Sequence, residues 1–131
     1  MSKEALPLFL SRVQAGFPSP ADDYIEQSLD LNEYLIKKPT STFFMRVAGD
    51  SMKDAGIMAD DILIVDRSLN AAHNSIVVAM VNGEYTVKRL LKKHNQLFLA
   101  PENRKYPILE IKEEMDFEIW GVVTYVIHST K

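Results

Sequence analysis

From Thr42 to the end of the chain, apolar positions come in short runs divided by turn residues. "TFFMRVA", "DILIVD", "SIVVAMV", "EYTVKRLL", "QLFLA" and "FEIWGVVTYVIH" are rich in β-branched and aromatic residues, the signature of strands. Within "VNGEY", Asn82-Gly83 suits the two positive-φ positions of a type I′ turn and predicts a tight hairpin. Strand follows strand with no long helix between, so a mostly β, strongly curved antiparallel fold is expected. The first 40 residues have a different texture. They hold four of the six prolines (Pro7, Pro18, Pro20 and Pro39), and "AGFPSP" suits neither a helix nor a central strand. Asp30 is a good N-cap for a short helix, "LNEYLIKK", with basic residues in its last turn and Pro39 ending it. Leu6, Leu8, Phe9, Leu10 and Val13 are too few to form a core. The expected organisation is therefore a mobile arm over residues 1–29, lying along the body or a partner, and a β domain over residues 30–131.

A length of 131 residues fits one domain with an appended arm. Hydrophobic residues make up 47% and charged residues 25%, which permits an ordinary core. A formal charge of −3 speaks against a broad basic surface for duplex DNA. The absence of cysteine excludes disulfides, thiolate catalysis and cysteine-ligated metal sites. "LPLFL" is too short for a signal peptide, and no run approaches the ~20 apolar residues that span a bilayer. A soluble, cytoplasmic protein without a membrane anchor is expected. Trp120, Phe44, Phe98 and the aliphatic strands are expected in the core or in a subunit interface.

The run "FFMRVAGDSM" stops abruptly at Gly49-Asp50-Ser51. Such a turn is often simple punctuation, and it is also a way to expose a nucleophile. A serine nucleophile needs a partner to take its proton. None of the three histidines, His73, His94 and His128, lies in a setting that suggests a base, and all three are expected at the surface. Lysine is the other candidate. Alternation along "EYTVKRLL" places Thr86, Lys88 and Leu90 on one face and Tyr85, Val87, Arg89 and Leu91 on the other. One of the adjacent cations, Lys88 or Arg89, must point toward the more buried side, where a lysine pKa falls. A lysine facing water on an edge strand fits the same pattern, and the pattern by itself leaves both readings open.

Taken together, "GDSM", "GIMADDILIVD" and "NGEYTVKRL", with its lysine 37 positions after the serine, resemble the LexA/UmuD family of self-cleaving serine–lysine proteases. "FEIWGVVTYVI" is similar to the closing strands of that fold. Upstream, "GFPSPADDYIEQSLDLNEYLIKKPTSTFF" is similar to the UmuD branch, the accessory proteins of a bacterial error-prone DNA polymerase. The resemblance runs from about Leu8 to the last strand. It implies that Ser51 is the nucleophile, Lys88 the general base and Ala15-Gly16 the bond cut. Alanine at 15 departs from the Cys-Gly bond of UmuD and matches the Ala-Gly bond of the repressors. Backbone N–H groups of Gly49, Asp50 and Ser51 are the expected oxyanion donors. It further implies stimulation by the RecA filament on single-stranded DNA and assembly of the cut form with UmuC, a Y-family polymerase, for translesion synthesis in the SOS response. Replicative polymerase subunits are further expected partners. A homodimer is also expected, with no cofactor, no metal and no sequence-specific DNA binding. A signal peptidase shares the chemistry but should carry a membrane anchor, and a repressor needs a helix-turn-helix that 15 residues cannot hold. The alternative of another class is a non-catalytic accessory or decoy module of the same complex.

Overall fold

A computed structural model of the chain describes residues 5–18, 20 and 24–131. The expected arm, 1–29, includes residues 1–4, 19 and 21–23, which lie outside the described residues. The chain divides into two compact units, Met1–Lys37 and Lys38–Lys131. That division falls after the short helix, whereas the sequence reading places it before the helix.

In the first unit, β1 (Leu6–Phe9) pairs antiparallel with β2 (Ile25–Leu29), Leu6 facing Leu29 and Leu8 facing Gln27. The sequence reading anticipates no strands here. "IEQSL" has one β-branched residue, and β1 contains Pro7, which a two-stranded ribbon tolerates because its missing N–H can face outward. Helix α1 spans Leu31–Leu35, with the Asp30 carboxylate accepting from the Asn32 N–H at 3.0 Å. The N-cap is as expected, but the helix stops at Leu35 and no basic residue falls in its last turn. Ile36 is extended (φ −116°, ψ 96°), and Pro39 disfavours a helical Lys38. Lys37 instead lies with its Nζ 5.7 Å from the Tyr34 ring centroid.

In the second unit, a 3₁₀ turn at Pro39–Ser41 leads into seven strands. These are β3 (Thr42–Arg46), β4 (Ile62–Asp66), β5 (Ile76–Val81), β6 (Glu84–Lys93), β7 (Gln96–Ala100), β8 (Leu109–Ile111) and β9 (Phe117–Ile127). Every pairing is antiparallel, in the order β3-β4-β9-β5-β6-β7-β8. The long strands follow the sequence reading; β8 is the addition, three residues just past Pro107. Asn82 and Gly83 have φ of 50° and 86°, as the hairpin requires.

Alternation sorts the side chains. Val47, Met52, Ile57, Leu63, Val65 and Val78 form one buried cluster, and Val77, Ala79, Leu90 and Leu99 another. Trp120 packs at the margin of the first, with Phe43 and Tyr85 ring centroids 5.3 and 5.8 Å away and the Arg67 guanidinium over its face. Phe98 is partly buried, but Phe44 is exposed on edge strand β3 and takes no part in the core.

Two buried aspartates bear on stability. Asp66 is buried at the end of β4, where Ser68 N–H, Ser68 Oγ and Ser41 Oγ donate to its Oδ1. Asp61 is buried too; it accepts from the Met58 N–H at 2.8 Å and lies 2.6 Å from His128 Nδ1. His128 is thus half-exposed and tied to a buried carboxylate, more engaged than a free surface histidine. His73 also has a partner, since its Nδ1 accepts from the Lys92 N–H.

Candidate active site

The turn after β3 is built by a change of role along consecutive residues. Val47 exchanges backbone hydrogen bonds with the loop before β4, its N–H to Asp61 and its C=O from Asp60. Gly49 then takes φ +84°, and Met52, 1% exposed, plugs the core. Burying Met52 fixes the turn and leaves Ser51 beside a cleft. The cleft has a volume of about 200 Å³ and an apolar wall that includes Met45, Val47, Leu63, Val78 and Val87. A second cavity of about 420 Å³ opens on the other elements around Lys88, between Val81, Tyr85, Leu99 and Leu109.

Lys88 enters from β6, opposite Val77 of β5. The alternation read from sequence is present: Leu90, two residues on, is fully buried, and Thr86, two residues back, is half-buried like Lys88. Lys88 Nζ lies 3.1 Å from Ser51 Oγ, 2.6 Å from Thr86 Oγ1 and 3.1 Å from the Val87 carbonyl oxygen. Burial holds the ammonium below the usual lysine range. No carboxylate pairs with it among the described residues.

The three neighbours define the chemistry available. As an ammonium, Lys88 donates to all three oxygens. As a neutral amine it has two N–H bonds and one lone pair. Thr86 Oγ1 and the Val87 carbonyl can take the two N–H bonds, which leaves the lone pair for the Ser51 hydroxyl proton. The geometry is that of a nucleophile–base pair within hydrogen-bond reach.

The other expected site residues divide by unit. Gly49, Asp50 and Ser51 form the turn itself, and among the described residues none of their backbone N–H groups donates to a backbone carbonyl. Ala15 and Gly16 lie in the first unit, exposed and in a bend, and a Cβ at Gly16 would meet nothing within 4 Å. His73, His94 and His128 are not among the neighbours of Ser51. Two features go beyond the sequence reading. Thr86 was legible as sharing the Lys88 face but not as a hydrogen-bond partner. The segment Glu102–Tyr106 reaches the turn from far along the chain, and nothing in "PENRKYP" signals it.

The sequence matches the Peptidase S24-like family over residues 7–124. It is 48% identical over 122 residues to Protein MucA of Salmonella typhimurium, covering 92% of this chain and 83% of that protein. It is also 48% identical to Protein ImpA of Salmonella typhimurium over 130 residues (95% and 85%). Protein SamA of Salmonella typhimurium LT2 is 48% identical over 125 residues (95% and 86%). Among the described residues no helix is long and apolar enough to cross a membrane. The mostly antiparallel β fold, the family match along nearly the whole chain and these relatives agree with the resemblance read from the sequence: the chain belongs to the Peptidase S24-like family and is a UmuD-like protein.

Proposed function

We propose that the chain is a serine–lysine autoprotease of SOS mutagenesis that cuts its own arm at Ala15-Gly16. The observation that carries this reading is the 3.1 Å approach of Ser51 Oγ to a half-buried Lys88 whose charge is disfavoured. Neutral Lys88 takes the Ser51 proton as Oγ bonds to the Ala15 carbonyl carbon. The oxyanion is held by N–H groups of the Gly49-Asp50-Ser51 turn. Collapse breaks the Ala15–Gly16 C–N bond, and Lys88 returns its proton to the leaving Gly16 nitrogen. Water then attacks the Ser51 ester and gives a proton to Lys88; collapse releases the Ala15 carboxyl group as Lys88 passes that proton to Ser51 Oγ, which restores both residues. The products are residues 1–15 and 16–131.

Residues 1–29 act as the cleavable arm and 30–131 as the protease domain, a homodimer working in the bacterial cytoplasm. The RecA filament on single-stranded DNA stimulates cleavage by favouring the cleavable pose of the arm. The cut form serves a UmuC-type Y-family polymerase as its accessory subunit. A Ser51→Ala comparison separates this reading from a non-catalytic assembly module. Purified protein is incubated with RecA, nucleotide and single-stranded DNA, and the fragments are weighed by mass spectrometry. Fragments 1–15 and 16–131 from the wild type, and none from Ser51→Ala, are expected. An intact wild-type chain, or equal cutting of both, contradicts the proposal.

A further inference from the structure

The turn that carries Ser51 is held by a segment remote in sequence. The Glu102 N–H donates to the Ser51 carbonyl oxygen at 2.8 Å, and the Asp54 N–H donates to the Glu102 carbonyl oxygen at 2.8 Å. Asn103, 6% exposed, donates through Nδ2 to the Asp50 carbonyl oxygen at 2.8 Å, while its Oδ1 accepts from the Lys105 N–H at 3.0 Å. The Tyr106 hydroxyl donates to Asp50 Oδ1 at 2.6 Å. This bond holds the Asp50 carboxyl below its usual range.

The same segment is tied to the strand that bears the base. Arg89, the neighbour of Lys88 on β6, points to the opposite face, where its Nε meets Glu102 Oε1 at 2.5 Å and its guanidinium also donates to the Asn74 carbonyl oxygen. Two chains of contacts therefore start at β6. One runs through Lys88 directly to Ser51 Oγ. The other runs through Arg89 and Glu102 to the Ser51 backbone, with Asn103 and Tyr106 bracing Asp50.

We infer that Glu102–Tyr106 is a positioning clamp for the Ser51–Lys88 pair, and that Asn103 and Tyr106 are positioning residues of the cleavage reaction. The inference rests on the serine–lysine reading. A serine hydroxyl on a surface turn has freedom that a 3.1 Å proton transfer does not tolerate, and a misplacement of about 1 Å can cost roughly a hundredfold in rate. Gly49 adds freedom at the start of the turn, and the clamp removes it at Asp50 and Ser51. None of the clamp groups touches Lys88 Nζ, so loosening the clamp lowers the rate without altering what sets the base.

The test uses the full chain and two readouts, Ala15-Gly16 cleavage in alkaline buffer and labelling of Ser51 by a fluorophosphonate, each followed across pH. Wild type, Ser51→Ala, Asn103→Ala and Tyr106→Phe are compared, with thermal melting to verify folding. Tyr106 is at the surface, so Tyr106→Phe removes one hydroxyl and keeps the test decisive where Asn103→Ala does not fold. Folded Asn103→Ala is expected to lose roughly 10- to 100-fold in plateau rate by both readouts. Tyr106→Phe is expected to lose several-fold, and both should keep the wild-type pH midpoint. Wild-type rates in the folded variants overturn the clamp, as does a shifted midpoint, which would mean that the segment acts on Lys88. A wild-type chain that neither cleaves nor labels defeats the serine–lysine reading and the clamp together. Wild-type activity lost in Ser51→Ala but kept in both clamp variants defeats the clamp alone.

Discussion

Gly121 is a residue at which a single methyl group decides packing. It lies in β9, and a Cβ placed there would come 2.6 Å from Val65 Cγ1, with the Asp66 carbonyl oxygen 3.4 Å away. Val65 is fully buried and has no room to retreat. Gly121→Ala is expected to destabilise the fold by about 1–3 kcal/mol through overpacking, read as a lower urea midpoint. An unchanged midpoint would mean that β9 can shift away from β4. Asp61 and Asp66 contribute to the response to acid. Burial opposes the charge of each, but hydrogen bonds more than offset it: Met58 N–H and His128 at Asp61, Ser68 and Ser41 at Asp66. Both carboxyls therefore titrate below their ordinary value and bind fewer protons folded than unfolded. Their stabilisation is full above the unfolded-state value of ~3.9 and is lost as pH falls through the lowered folded values. Asp66→Asn should flatten part of the decline in stability below about pH 4. An identical acid-unfolding curve would remove Asp66 from that role.

At the scale of elements, the β5–β6 hairpin fixes which face of β6 each side chain takes, and so delivers Lys88 to the cleft. Gly83 at φ 86° is where its turn depends on glycine. Gly83→Ala is expected to cost about 1–2 kcal/mol, measured by chemical denaturation; no loss would show that the turn relaxes to another type. The hairpin also explains how much was legible beforehand. Asn82-Gly83 and the alternation of "EYTVKRLL" are local signals, and they gave the strand, its turn and the two alternative faces of Lys88 and Arg89. Choosing between those faces needed the fold, because periodicity says which residues share a face and not which face is buried. The β1–β2 pair was illegible for a related reason, since it joins segments whose own propensities are weak. The clamp is the extreme case. Asn103 and Asp50 are 53 positions apart, and Tyr106 and Asp50 are 56, so nothing around either partner announces the contact.

On the scale of the whole molecule, residues 1–29 are the proposed substrate arm and residues 30–131 the proposed enzyme. Gly16→Glu should block cutting without unfolding the second unit, because Gly16 is exposed and touches nothing at its Cβ position. A variant cut at the wild-type rate would show that Ala15-Gly16 is not the bond. The proposed homodimer should give twice the chain mass of 14.9 kDa by light scattering at micromolar concentration, and a monomer would contradict it. The central claim is that neutral Lys88 activates Ser51. It is tested most directly by the rate of Ala15-Gly16 cleavage in purified protein from pH 7 to 10 without RecA, for wild type, Lys88→Arg and a variant lacking all three histidines. If lysine is the base, the rate rises about tenfold per pH unit below the Lys88 pKa and then levels off. Removing the histidines should leave this rise in place, since a histidine base would already have levelled off near ~6.5. Lys88→Arg should be inert, because a guanidinium keeps its proton across that range. A flat wild-type profile, or an active Lys88→Arg variant, would contradict the account.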